Sequence, residues 1–408
     1  MSATRRLILA AGALAALAAT PARAADPAGP EKLKLKPILD TRLRYESVEQ
    51  GSLEADALTL RVRAGLEAKV SDWSLLAEAE GTAPIVNDYN AFPFAIADDQ
   101  RRTQYAVVAD PRSLELNRLQ LQYKGKQFGL TVGRQRITLD DQRWVGAVGW
   151  RQNEQTFDAL RGEATLGPIN AEAIYAISQR TSFGSEAGPR TALDGHFAFF
   201  GLGSKIGPLQ GKLFAYWLDY DESFFLANSS QTYGGFLSGA VPIGGKTRLN
   251  LRASYARQSD YADNPFRYAA DYWSLEAGST LAGFAIAAGW EQLGSDNGRS
   301  VQTPMATLHK FNGWADLFLT TPPAGLEDAW VSVGRKFEGI KALPGLNFAL
   351  AFHQFDSARG DVEYGTEWDA SAGFKLGKVA LLAKFADYQA KGFGLDTTKF
   401  WLQAEWAF

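Results

Sequence analysis

The chain has no cysteine, and only three histidines among its 408 residues. Without cysteine there is no disulfide framework and no thiolate metal site. Stability must come from burial and hydrogen bonding. No catalytic motif surrounds His196, His309 or His353. Each is therefore expected to be a packed or hydrogen-bonded residue rather than the base of a Ser-His-Asp site. Beyond residue 24 there is no apolar run near the roughly 20 residues that a membrane helix needs. That excludes a helical membrane protein and says nothing against a barrel. There is also no excess of positive charge, since the formal net charge is −3. A nucleic-acid partner is not indicated.

What is present begins with an address. Arg5 and Arg6 precede the apolar run Leu7 to Ala19, and Ala22-Arg23-Ala24 follows as a small-residue cleavage pattern. This reads as a secretory signal peptide over 1–24. Its removal takes away three arginines and no acid, so the net charge falls to −6. Residues 25–32 are expected to form a short periplasmic segment, and 33–408 one domain without a linker.

From residue 33 onward apolar and polar residues alternate with period two. Leu39, Leu43 and Tyr45 alternate with Asp40, Arg42 and Arg44, and Leu58, Leu60, Val62 and Leu66 alternate with Thr59, Arg61, Arg63 and Glu67. Leu249, Leu251 and Ala253 alternate with Arg248, Asn250 and Arg252, and Trp368, Ala370 and Ala372 with Glu367, Asp369 and Ser371. Segments of about ten residues, apolar on one face and charged on the other, are the signature of an outer-membrane barrel. A soluble sandwich would not carry so much charge on strand after strand.

Connection lengths alternate as well. Short turns fall near 71–72, 125–126, 167–168, 207–208, 243–245, 282–283, 339–344 and 377–378. Longer loops fall near 50–56, 84–112, 139–154, 181–193, 222–229, 260–269, 294–325, 357–363 and 390–396. Eight short turns and nine loops predict about eighteen antiparallel strands, with both termini periplasmic. The fold class is all-β, a transmembrane barrel in the outer membrane of a Gram-negative bacterium. The strand Lys399 to Phe408 ends on an aromatic, which resembles the signal read by barrel-insertion machinery. No segment marks an oligomer interface, so a monomer is expected.

The lipid-facing apolar set fixes which residues point inward. By parity Arg42, Arg44, Arg61, Arg63, Arg118, Arg161, Arg248 and Arg252 face the lumen, with Glu67, Lys69, Glu78, Glu80, Glu172, Asp369 and Glu405. At mid-bilayer an arginine facing lipid would cost roughly 2–4 kcal/mol. The stretch Gly133 to Trp144, GRQRITLDDQRW, breaks this pattern. Phe128, Leu130 and Val132 face lipid, so strict alternation would send Arg134 and Arg136 into lipid. A bulge at Gly133 would turn both inward, with Asp140 and Asp141 at the outer mouth. Arg335, after Gly334, is expected near the periplasmic rim. Arginines suit a constriction for carboxylates because the guanidinium fork pairs with them and stays charged. The competing reading is that inward arginines and acids neutralise one another. Loop acids and carbonyls would suit Ca²⁺, but no metal or cofactor site is specified. Trp144, Trp150, Tyr216, Trp217, Tyr233 and Trp401 are candidate stacking surfaces.

Residues 133–160, GRQRITLDDQRWVGAVGWRQNEQTFDAL, resemble the hallmark segment of the alginate export family of outer-membrane barrels. Residues 303–330, TPMATLHKFNGWADLFLTTPPAGLEDAW, resemble a second segment of it. The resemblance implies an eighteen-stranded monomeric porin with an arginine-rich lumen that passes an acidic polysaccharide. Arg134, Arg136, Arg143, Arg151 and Arg161 are its pathway residues by this carry-over. The function that follows is an anion-selective export channel for an alginate-like polymer. The alternative is uptake of small carboxylates, aromatic acids or oligosaccharides, and no enzyme activity is expected.

Overall fold

The computed structural model describes residues 32–245 and 247–407. The signal segment 1–24 and the terminal Phe408 lie outside the described residues. Eighteen strands form one closed antiparallel sheet. They are β1 (Lys34–Gln50), β2 (Leu53–Val70), β3 (Trp73–Asp88), β4 (Ser113–Lys124), β5 (Phe128–Gln135), β6 (Thr156–Leu166), β7 (Ile169–Arg180), β8 (Ala192–Ile206) and β9 (Leu209–Tyr220). They continue with β10 (Ser230–Gly244), β11 (Thr247–Asp260), β12 (Ala269–Leu281), β13 (Phe284–Leu293), β14 (Leu326–Lys336), β15 (Asn347–Asp356), β16 (Glu363–Leu376), β17 (Val379–Ala390) and β18 (Thr397–Ala407). Each strand pairs with its sequence neighbours. β1 closes the ring by pairing with both β2 and β18, Arg42 standing opposite Arg61 on one side and Glu405 on the other. Closure leaves no sheet edge, which a bilayer requires.

The outward face carries exposed Leu60, Leu75, Leu121, Leu130, Leu160, Leu213, Leu275, Val331 and Leu402, one or more on each side of the ring. The residues between them point inward, so the parity read from the sequence holds on the wall. Both ends of the described barrel, Lys34 and Ala407, fall at the end bearing the short turns. The first long loop does not exist. Gly51 and Ser52 form a tight turn, with Gly51 at φ +58°. β1 and β2 have 17 and 18 residues, well beyond the roughly 9–11 that cross a bilayer. Their tops stand clear of the membrane. Val48, Ala55 and Ala57 there are buried under Tyr89, Phe92 and Val108 of the 89–112 loop.

Two other loops turn into the barrel. Residues 136–155 and 301–325 meet through a parallel bridge between Val145 and Met305. Gly146 N–H donates to Met305 O at 2.8 Å, and Thr307 N–H donates to Gln142 O at 3.1 Å. Their apolar residues Ile137, Leu139, Val145, Met305, Ala315 and Phe318 join inward residues of the wall, Phe157, Phe197, Tyr272 and Phe355, in one buried cluster. The core of this barrel therefore lies within its lumen, built from loops rather than from strands alone.

Candidate functional site

The arginines of β1 and β2 face inward but lie beneath these loops. Arg42 donates from one guanidinium nitrogen to the carbonyls of Gly149, Trp150 and Arg151 at 3.1–3.2 Å, and from the other to Glu405 at 3.1 Å. Arg44 donates to Gln403 Oε1 at 2.6 Å and sits 4.0 Å from the Trp150 ring centroid. Arg61 pairs with Asp40 and Glu405, and Arg63 with Glu80 and Glu154. All four are at most 8% exposed. An ion in transit does not reach guanidinium groups so covered. Their expected role as an exposed anion path is corrected: Arg42, Arg44 and Arg63 anchor loops above them, and Arg61 ties β2 to β1 and β18. Such burial is tolerated because each charge has a carboxylate partner.

Arg143 and Arg151 complete the anchoring from the loop side. Arg143 pairs with Glu291 of β13 at 2.8 Å and donates to Asn312 at 3.2 Å. Arg151 reaches Glu46 of β1 at 3.2 Å, Asp110 at 3.9 Å and Asp316 at 2.7 Å. Both are buried. The aspartates of the Gly133 to Trp144 stretch are not at the outer mouth. Asp140 pairs with Lys212 at 2.8 Å and Asp141 with Arg252 at 2.8 Å. Lys212 and Arg252 lie three and five residues along their strands from the short turns. The loop tip thus hangs deep in the barrel, tied to the wall opposite β2. The neutralising partners come from β9 and β11, far off in sequence.

Arg134 and Arg136 part company. The ladder passes through Gly133 in unbroken register, with Arg134 opposite Leu119 and Asp158. Gly133 has φ +109°, and a Cβ there would collide with the Leu119 carbonyl. That close approach, not a bulge, is why glycine stands there. Arg134 accordingly stays on the outer face, held by two 2.8 Å bonds to Asp158, and is not a lumen residue. Arg136 turns inward because the strand ends at Gln135, and it pairs with Glu154 at 2.6 Å. The bulge that does turn polar groups inward is in β4, where Asn117 is the extra residue. Asn117 donates to Glu78 and Glu154 at 2.8 and 2.7 Å, and Arg118 makes a fork to Glu78. Arg161 pairs with Glu163 and Glu172, while Arg248 is exposed near the short-turn end of β11. Arg118, Arg136, Arg161, Arg248 and Arg252 are therefore the predicted arginines that solvent in the lumen reaches. Arg335 lies last but one in β14, its guanidinium over Phe284 and Phe337, at the expected rim.

A cluster of indoles fixes the second loop. Lys384 of β17 sits 3.6 Å from the Trp314 ring centroid and 4.1 Å from that of Trp150. Trp150 is stacked on His309 at 4.4 Å and 6°, and Trp401 meets it edge-on. Trp144 packs against Phe214 and Tyr272, and Tyr216 against Phe199 and Phe214. Trp217 and Tyr233 meet edge-on. The candidate stacking aromatics are thus already engaged with protein groups. His309 Nδ1–H donates to Asp316 at 2.8 Å, and its Nε2 takes a hydrogen bond from Lys384 at 2.7 Å. Only a neutral imidazole can do both. Burial pushes His309 down to about 3. Against the burial that opposes it, His309, Lys399 and Arg151 hold the Asp316 carboxyl well below the usual carboxylate range. A histidine with a depressed value stabilises fully above its ordinary value of about 6.5, and that contribution is lost as pH falls towards 3. Loop 301–325 is therefore expected to loosen between pH 6 and pH 4, read as rising current noise in a planar bilayer. A His309→Gln protein should be noisy at pH 7 and should lose that pH response. The other histidines are hydrogen-bonded, His196 to Tyr175 and His353 to Asp328.

The closed eighteen-stranded sheet with an apolar outer belt and loops folded inward defines an outer-membrane porin barrel. The family model described as alginate export matches residues 40–222, so the resemblance read from the sequence holds over the first half of the barrel; the 303–330 segment lies outside the match. No curated protein matches the chain. Among solved structures, OpdO of Pseudomonas aeruginosa is similar at 15% identity and TM-score 0.70, over 92% of this chain and 97% of that one. OpdK of the same organism, solved with vanillate, is similar at 14% identity and TM-score 0.72, over 93% and 100%. OccAB1 of Acinetobacter baumannii gives 12% identity and TM-score 0.69, over 92% and 96%. The family match and this fold point to a channel rather than an enzyme.

Proposed function

We propose that the barrel is a selective outer-membrane channel for carboxylated solutes of sugar size, passed singly or as short oligomers. The observation that carries this reading is the pair of inner loops, 136–155 and 301–325, tied to each other and to the wall by a backbone bridge and by ion pairs, those of Arg143 and Arg151 buried. A lumen crossed in this way favours small solutes over a polymer in free passage. Arg118, Arg136, Arg161, Arg248 and Arg252 are the groups that would steer a carboxylate. In this reading cleavage follows Ala24, 25–32 leads into a single barrel, the termini and short turns are periplasmic, and the monomer is inserted through its C-terminal strand.

The second reading is export of an alginate-like polysaccharide, favoured by the family match over 40–222. It would use the same arginines once the loops withdraw. Planar-bilayer recording separates the two. The first reading expects a small conductance, interrupted by millimolar glucuronate and by short uronate oligomers, with long polyuronate excluded. Passage of long polyuronate through a wide, steady pore would overturn it in favour of export. A reversal potential under a KCl gradient that reports cation preference would remove the carboxylate reading altogether.

A further inference from the structure

Below the loop tip, towards the short-turn end, the β11–β15 wall carries a cavity of about 420 Å³. That volume falls within the range of small-ligand sites. Its inward side chains include Asn250, Arg252, Glu276, Trp330 and Ser332. The rest of its inward floor is small: Gly278, Thr280, Ala285, Ala287, Gly334 and Ala349. Trp330 lies flat over Gly289, where a Cβ would collide with the indole. Unlike Trp150, which is stacked on His309, it has among the described residues only His353 as a ring neighbour, tilted and 6.5 Å away. Arg252 gives one nitrogen to Asp141 at 2.8 Å, while its Nε–H is buried without a protein partner.

We infer that this cavity is a binding subsite for one pyranose ring, with Trp330 as its platform. The chemistry favours a sugar over a simple aromatic acid. The charge of Arg252 is already balanced by Asp141, and Glu276 stands beside it, so the cavity offers no net positive charge to capture a bare carboxylate. It does offer an acid, a guanidinium, an amide and a hydroxyl around one flat apolar ring. A pyranose presents the complement: an apolar face of C–H groups to lie on the indole, and a rim of hydroxyls that both donate and accept. Asn250 and Ser332 can each do either, Arg252 only donates, and ionised Glu276 only accepts. The small residues leave the ring room to lie flat.

The inference rests on the reading of the barrel as a channel for sugar-sized carboxylates, and its test separates the two. Calorimetric titration of the full-length protein in detergent does not depend on passage. The probes are glucuronate, glucose and benzoate. Glucuronate and glucose are expected to bind in the millimolar range, and benzoate at least tenfold more weakly. Trp330→Ala should weaken sugar binding by tenfold or more, Trp330→Phe by less, and Asn250→Ala by severalfold. Unchanged sugar affinity in a folded Trp330→Ala protein would overturn the subsite, as would benzoate binding more tightly than either sugar. If sugars bind through Trp330 but no carboxylate crosses the bilayer, the subsite stands and the transport reading fails. If carboxylates cross without any effect of Trp330, the reverse holds.

Discussion

Replacing Arg151 with alanine is expected to cost about 3–5 kcal/mol in the docking of the inner loops, the usual penalty for removing one partner of a buried ion group. The side chain is 9% exposed and balances Glu46, Asp110 and Asp316. Without it, three carboxylates crowd a space where Arg44 is 3.6 Å from Asp110 and Lys399 is 3.5 Å from Asp316, with Lys384 bonded to His309 behind them. Glu46 loses the guanidinium it pairs with. The cheapest relief is for the 301–325 loop, which carries Asp316, to swing away. The channel should then open wider and flicker, and trypsin should cut after Lys310. The barrel itself should persist, because its ladder does not pass through Arg151. Arg151→Lys keeps the charge but loses the guanidinium fork, so it should fall between the two. A quiet trace and a protected Lys310 in Arg151→Ala would mean that apolar packing around Met305 and Phe318 holds the loops by itself.

This network shows where sequence reading reaches and where it stops. The barrel was legible because a bilayer forces a simple code. Leu60 and Val62 cannot face the lumen while Arg61 and Arg63 face lipid, so period two fixed both faces at once. The eighteen strands followed from turns that alternate in length, although Gly51-Ser52, taken for the start of a loop, is only a tight turn. Gly133 was misread because a glycine that bulges and a glycine that admits a neighbouring carbonyl look alike in one sequence. The partner that decides, Leu119, lies on another strand. The nearby bulge that turns polar groups inward, at Asn117, has no glycine to announce it. The inward fold of 136–155 did leave a trace. Ile137, Leu139 and the more distant Val145 are apolar amid charged neighbours, which a solvated loop does not need. Trp330 is easily missed because a tryptophan in a barrel strand is most often an interfacial anchor, although its neighbour Val331 faces lipid and parity puts Trp330 inside.

The double substitution Asp140→Asn, Asp141→Asn decides whether the lumenal cations are silent. In the native protein Lys212 is shared between Asp140 and Glu172, and Arg252 is held by Asp141. The amides keep the shape and can still accept hydrogen bonds, so the loop tip should remain docked while two negative charges vanish. One unit charge acting at about 4 Å in water is worth about 1 kcal/mol, which is roughly a fivefold change in the permeability of a single ion. Losing negative charge favours anions and disfavours cations, so the chloride-to-potassium ratio should rise by about tenfold or more. The measurement belongs at 0.1 M salt, where the screening length is about 10 Å, and the effect should shrink at 1 M, where it is about 3 Å. Arg252→Gln should move the ratio in the opposite direction. If neither variant moves it, the loop tip and its partners lie off the ion path, and the selectivity must be set by Arg118 and Arg136, which do not touch the tip. If both move it as stated, the acids at the tip act as brakes on the cations that they hold.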